Sequence, residues 1–211
     1  MTPLVVIDVE TTGLPDRTDG FVPLVIEVGA CVVDRLGVVR NPISFLVAQP
    51  PDHVASPSAA EALRINKLTP AMVATGLPPT EAADRLAAWL RVVAQRYGAD
   101  RVTAFNAEFD LGMLSAPPWS FPERGIRPGP CVMLGAMSVM GPAGVLPPAP
   151  EGCPPDQRWK WPRAREAIIY FKPRYPGLPW LERRDHRARD DAWNEGCIAS
   201  AIHKDTAGGW P

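Results

Sequence analysis

Five residues have the types and spacing to do chemistry together. Asp8 and Glu10 interrupt the end of an apolar run, residues 4–9, whose β-branched content reads as a buried strand. Residues i and i+2 of a strand project to one face, so both acids point one way while Ile7 and Val9 point the other. Two like charges buried side by side are costly unless something positive lies between them. With no Cys or His close by in sequence, a hard divalent cation such as Mg²⁺ or Mn²⁺ is the expected partner. Two later helices supply further acids. In the helix expected over 106–114, a 100° turn per residue puts Asp110 between Met113 and Leu114 on the inward face, with Glu108 nearly opposite. In the last helix, from about 187 to 204, the apolar stripe is Ala188, Ala192, Ile198, Ala199 and Ile202. Asp191 lies inside that sector and Asp190 outside it, so Asp191 is the acid that needs a partner. His186 stands five residues before Asp191, just ahead of the helix, where it would overhang a site lined by that acid.

The elements that must position these side chains follow from patterning. Residues 24–34 and 38–48 are apolar and β-rich around Leu36-Gly37, as in a hairpin placed beside the first strand. A proline-broken loop is expected over 50–58, then short helices over 59–66 and 69–75. The second of these has Thr69 as N-cap and Pro70 at its first position. Thr80 is expected to cap a longer amphipathic helix to about Tyr97, with Ala83, Leu86, Ala87, Leu90 and Val93 inward. A short strand over 102–105 leads straight into the Asp110 helix. Residues 115–157 carry 11 prolines in 43 positions, with 131–140 the one apolar, proline-free stretch, read as a short strand or helix. The sum is an α/β fold with a mixed sheet flanked by helices.

Composition sets the outer limits. The chain has 211 residues, 46% hydrophobic and 21% charged, with formal net charge −1. That is enough to bury one sizeable core and too balanced for a disordered basic or acidic protein. A polyanion would have to be held by a local patch or by metal. Proline is frequent, 26 of 211 residues, more than twice the typical ~5%. Cys31, Cys131, Cys153 and Cys197 are far apart without a Cys-x-x-Cys pair, which predicts reduced thiols in a cytoplasmic protein rather than a disulfide scaffold or zinc knuckle. The apolar start breaks at Asp8 and lacks a basic lead, so neither a signal peptide nor a membrane span is expected.

The motifs Asp8-Val-Glu10-Thr-Thr-Gly-Leu, Phe-Asn106-Ala-Glu-Phe-Asp110 and His186-x-x-x-x-Asp191 resemble, in order and spacing, the signature of the DEDDh (DnaQ-like) 3′–5′ exonucleases. That superfamily includes the proofreading subunit of bacterial replicative DNA polymerase, ribonuclease T and oligoribonuclease. The similarity runs from about residue 4 to 203 and covers 115–157 poorly; residues 65–76 and Lys160-Trp-Pro are similar to connecting elements of the proofreading branch. The resemblance implies an RNase H-like fold over residues 1–205, with 115–157 a proline-rich insertion or loop and 206–211 a loose tail. It implies two Mg²⁺ or Mn²⁺ ions, with Asp8 bridging both, Glu10 and Asp191 on the nucleophile side, Asp110 on the other, and His186 as general base. Thr11, Thr12 and Leu14 would line the pocket of the terminal nucleotide, with Asn106 and Phe109 as further strand contacts.

The implied activity is release of nucleoside monophosphates from single-stranded 3′ ends, with DNA preferred. Two rivals stand beside it: an exoribonuclease of the ribonuclease T or oligoribonuclease type, and a non-catalytic nucleic-acid-binding accessory module. A polymerase or other protein partner could dock on 115–157; no membrane partner is expected. Taken singly, the residues have plainer readings: Asp8 and Glu10 as a solvated strand end, Asp191 paired with Arg187, His186 as an ordinary loop residue. The basic and aromatic stretch 158–174 reads equally as a strand-binding surface or as the solvated back of a helix whose core stripe is Ala164, Ala167, Ile168 and Phe171. His53 and His203 belong to no motif.

Overall fold

The computed structural model describes residues 1–14, 20–182, 187–207 and 210. Three strands open the chain: β1 (Leu4–Thr11), β2 (Val25–Val33) and β3 (Val39–Leu46). Four helices follow, α1 (Pro51–Val54), α2 (Pro57–Asn66), α3 (Pro70–Ala74) and α4 (Pro79–Tyr97). Then come β4 (Arg101–Thr103), α5 (Ala107–Met113), β5 (Arg127–Pro128), α6 (Val132–Met140), α7 (Ala164–Phe171) and α8 (Ala188–Asp205). The sheet order is β3-β2-β1-β4-β5. The hairpin pairs are antiparallel, whereas β4 lies parallel to β1 and β5 parallel to β4. This is the mixed α/β sheet that the patterning predicts.

Alternation along β1 sorts the core into two layers. Val5, Ile7 and Val9 pack with Val28, Ala30 and Val32 against Ala82, Leu86, Leu90 and Val93 of α4. Leu4 and Val6 join Cys31 and Val33 on the other face, under Ile198 and Ile202 of α8, Met140 of α6 and Phe171 of α7. Asp8 and Glu10 continue the second series, so they emerge on the face that α8 covers. The pairing shifts after Glu10: Glu10 stands opposite Glu27, but Thr11 stands opposite Val25. The extra residue, Ile26, drops into a third apolar cluster with Val54, Leu63 and Val73 beneath α1–α3. A bulge of this kind bends a strand and re-aims the residues beyond it. Here the pairing resumes beyond it, Thr11 opposite Val25 and the Thr12 N–H donating to Leu24 O at 2.9 Å.

The structure differs from the sequence reading in four places. The loop expected over 50–58 holds α1, because Pro50 and Pro51 supply the fixed φ of a helix start. Helix α4 begins one residue before Thr80, with Pro79 in its first turn and no side-chain cap. Around 131–140, which is helix α6 as one of its two expected forms, the proline-rich 115–157 is built into the fold rather than a loop upon it, since Trp119, Phe121, Val132, Ala136, Met140 and Leu146 are all core residues. Trp210 is also buried, packed against α6 and donating its backbone N–H to Thr206 Oγ1 at 3.1 Å, where a loose tail is expected. Its indole fills space left by Gly135, where an added Cβ would lie 2.6 Å from Trp210 Nε1. One aromatic side chain thus outweighs the Gly-rich composition around it.

Candidate active site

The acids converge where β1 meets α8. Carboxylate oxygens of Asp8, Glu10 and Asp191 all lie within 4.8 Å of one another, with Asp191 buried and the other two half-buried. Asp191 reaches the cluster because it belongs to the first turn of α8, its N–H donating to Arg187 O at 3.0 Å. That turn can lie directly on the sheet because position 29 is glycine. Gly29 stands opposite Asp8 in the β1–β2 register, and an added Cβ there would lie 2.1 Å from the backbone of Ala188.

Asp110 enters from α5, which starts four residues past β4 and so at the end of β1 that carries the acids. Its Oδ1 accepts the N–H of Val9 at 3.1 Å, between the two strand acids. Glu108 is exposed, as the helical phase predicts. Burial pushes the Asp110 carboxyl up to about 7, although the Val9 hydrogen bond works the other way. Asp8 is also held well above the usual carboxylate range. Burial contributes most, followed by the negative charges of Glu195, Asp110, Glu10 and Asp191. Its Oδ2 is sealed from solvent and has no hydrogen-bond partner among the described residues. A buried carboxylate oxygen left in this way among other acids fits a cation site. All four acids are oxygen donors, the set that Mg²⁺ and Mn²⁺ take.

Glu195 is the acid that sequence reasoning passed over. It is 4% exposed, four residues beyond Asp191 on the same face of α8, and its Oε2 accepts the N–H of Phe105 at 3.2 Å. It thereby joins α8 to the turn between β4 and α5. Its i, i+4 relation to Asp191 was the available signal, hidden in a helix whose other inward residues are mostly small or apolar. His186 lies outside the described residues.

Beside the acids is a cavity of about 450 Å³ lined by Val9, Glu10, Thr11, Gly13, Leu14, Ser58, Glu61, Ala62, Ile65, Asn66 and Phe109. Leu14 and Ile65 are exposed apolar walls, 73% and 43% accessible. Thr11, Leu14 and Phe109 line this cavity. Thr12 does not: it is fully buried, its hydroxyl accepting Leu24 N–H at 2.9 Å and meeting His53 Nε2 at 3.0 Å. Neighbours in an extended chain face opposite ways, so the two threonines cannot both line the cavity. His53 in turn stacks on Phe21, ring centroids 4.9 Å apart, and so braces the cavity wall from behind. Asn106 precedes α5 as an exposed residue outside the cavity lining. In the basic segment, Lys160 is spent on an ion pair with Glu166 at 2.8 Å. Arg174 lies over the Tyr170 ring, 4.7 Å from its centroid. No helix among the described residues is long and apolar enough to cross a membrane.

No protein-family model matches the sequence, and no curated protein matches it. Solved structures do. The nuclease domain of 3′hExo, a DEDDh family member bound to rAMP, is 13% identical, with 98% of this chain and 94% of that one aligned at a TM-score of 0.64. Cell-death related nuclease 4 (CRN-4) is 14% identical over 97% of this chain and 64% of that one, TM-score 0.65. Exonuclease I from Methylocaldum szegediense is 19% identical, TM-score 0.60, and the chain spans 41% of its length. The chain has the RNase H-like exonuclease fold of these proteins, with its acid cluster on the face of β1 that α8 covers.

Proposed function

From that fold and that cluster, we propose that the protein is a divalent-metal-dependent 3′–5′ exonuclease acting on single-stranded ends, with DNA preferred. The observation that carries this reading is the convergence of Asp8, Glu10 and Asp191 around an unpartnered, buried Asp8 oxygen, beside an open cavity of nucleotide size.

Asp8, Glu10 and Asp191 would hold one cation, and Asp8 and Asp110 a second. Bound there, the ions would supply an activated water and stabilise the departing oxygen of a phosphodiester. The remaining work belongs to the chain. Thr11 donates its hydroxyl to Gly13 O at 2.7 Å, which fixes the turn carrying Leu14. Leu14, Ile65 and Phe109 offer apolar surface to a terminal base, and stacking of this sort tolerates any base. The bulge and the His53–Phe21 stack keep that wall in place while a strand slides. His186 is proposed as the general base that accepts the proton of water, a role for a group titrating near neutrality. Replacing it with Ala should remove most turnover and leave metal binding intact.

An RNA substrate is the second reading. It is favoured by the similarity to 3′hExo, which was solved bound to rAMP, whereas Escherichia coli Exonuclease I was solved with a dT13 oligonucleotide. The test uses 5′-labelled DNA and RNA of one sequence with Mg²⁺, Mn²⁺ or EDTA, and Asp8→Ala as control. A ladder shortening from the 3′ end, absent with EDTA and in the variant, supports the enzyme; the faster polymer assigns the sugar. Binding without shortening would replace this reading with that of an accessory module.

A further inference from the structure

Besides the acids already described, one more buried carboxylate lies at this end of the sheet. Glu27 is 1% exposed and lies on β2 directly opposite Glu10, so it projects to the face that bears the site. It is bound from three sides. Arg187 grips it with Nε at 2.9 Å from Oε2 and Nη2 at 2.8 Å from Oε1. Ser44 of β3 donates its hydroxyl to Oε1 at 3.3 Å. The N–H of Ala188, the first residue of α8, points to Oε2 at 3.4 Å. Arg187 is the residue before α8 and has no side-chain cap of its own, so the carboxylate from β2 takes that place.

We propose that Glu27 and Arg187 are positioning residues, a clamp that sets the first turn of α8 and through it the Asp191 ligand. This rests on the metal-site reading above. Three observations favour it over a generic ion pair. First, the clamp and Asp191 share one turn of helix, since the carbonyl of Arg187 accepts the Asp191 N–H at 3.0 Å. A displacement of Arg187 is transmitted to the ligand with no flexible link between them. Second, the seat beneath that turn is shaped for close approach. Gly29 leaves no room for any Cβ under Ala188, and Cys31, two residues further along β2, donates its Sγ hydrogen to Ala192 O at 3.2 Å. Alternate residues of β2 therefore index α8 from its first residue onward. Third, the guanidinium lies close enough to Glu10 to feel its charge. Arg187 is held protonated by Glu27 first and also by Asp190 and Glu10. The fork engages both oxygens of Glu27, which keeps Glu27 from acting as a competing ligand. A planar fork on a carboxylate fixes direction as well as charge, which Lys does not do.

The experiment compares wild type, Arg187→Lys and the double variant Glu27→Gln with Arg187→Gln, which leaves no lone buried charge. Three quantities are read: Mn²⁺ affinity without substrate by electron paramagnetic resonance, kcat and KM on a labelled oligonucleotide, and backbone hydrogen exchange of the metal-free protein. Partners that orient metal ligands typically contribute 10- to 100-fold in affinity or activity. Both variants should therefore bind Mn²⁺ about tenfold more weakly and lose about tenfold in kcat, with oligonucleotide KM little changed. Exchange protection should fall in the first turn of α8 and hold in β1 and β2. Wild-type Mn²⁺ affinity and kcat in Arg187→Lys, whatever its melting temperature, would reduce the pair to a structural contact and overturn the clamp. A wild-type protein that neither binds Mn²⁺ nor shortens the oligonucleotide would overturn the metal-site reading itself, which the wild-type arm alone reveals.

Discussion

Removing divalent cations should make this protein less stable as pH rises, and returning them should reverse the trend. Asp110 is the group to work from. Burial lifts its carboxyl from 3.8 to about 7, so between those values the folded chain keeps a proton that the unfolded chain has released. A state that binds more protons is favoured at low pH. Its advantage is lost progressively as pH climbs from about 4 through about 7. Each tenfold difference in acidity is worth ~1.36 kcal/mol, so the loss from Asp110 alone is on the order of 4 kcal/mol by pH 8. About 2.6 kcal/mol of that falls between pH 5 and pH 8, and for a domain of this size 1 kcal/mol moves the melting temperature by about 2–4 °C, which predicts a fall of roughly 5–10 °C over that range in EDTA. Asp8, raised for the same reason and by its four acidic neighbours, adds in the same direction. The assay is thermal unfolding followed by circular dichroism at half-unit pH steps, with EDTA and then with excess Mg²⁺. Cation binding to the folded state alone raises stability by mass action and favours the ionised carboxylates, so the fall should vanish with Mg²⁺. Asp110→Asn, close to isosteric, should flatten the EDTA curve. A melting temperature that stays level or rises from pH 5 to pH 8 without metal would refute the argument.

Other substitutions give distinct outcomes. Asp8→Asn should raise the metal-free melting temperature at pH 8 by relieving a buried like charge, while abolishing oligonucleotide shortening; a variant that is both inactive and less stable would contradict the account of strain in the cluster. Glu195→Gln keeps an acceptor for Phe105 N–H but removes the charge that acts most strongly on Asp8 after burial. Metal-free stability at pH 8 should rise and calorimetric Mg²⁺ affinity should fall, and unchanged affinity would place Glu195 outside the electrostatics of the site. Gly29→Ala puts a methyl group 2.1 Å from the Ala188 backbone, so α8 must lift. Overpacking of this order costs about 1–3 kcal/mol, and denaturant unfolding together with loss of Mn²⁺ binding would register both effects. Leu14→Ala should raise KM several-fold with little change in kcat, because that exposed side chain lines the cavity.

The sequence by itself determined the local grammar of the protein. Period-2 alternation in residues 4–9 put Asp8 and Glu10 on one face, and helical phase chose Asp110 over Glu108 and Asp191 over Asp190. These choices hold because each depends on one short element whose geometry is set by backbone sterics. Thr69 likewise caps α3, its hydroxyl accepting Met72 N–H, a bond made within three residues. The order of the motifs, through a family resemblance, supplied the fold class as well.

What only the tertiary structure decided involves residues far apart in the chain. Thr12 turns inward to take the Leu24 N–H, 12 residues on. His53, which belongs to no motif, meets Thr12 across 41 residues. Glu27 and Arg187 meet across 160, displacing the Arg187–Asp191 pairing that proximity in sequence suggests. Glu195, whose charge acts on Asp8, is tied down by the N–H of Phe105, 90 residues earlier. Trp210 is core only because α6 has a glycine to receive it. A hydrogen bond or a void does not register which residues lie between its partners. Periodicity therefore shows which face a side chain occupies within its own element, and packing decides what waits for it there.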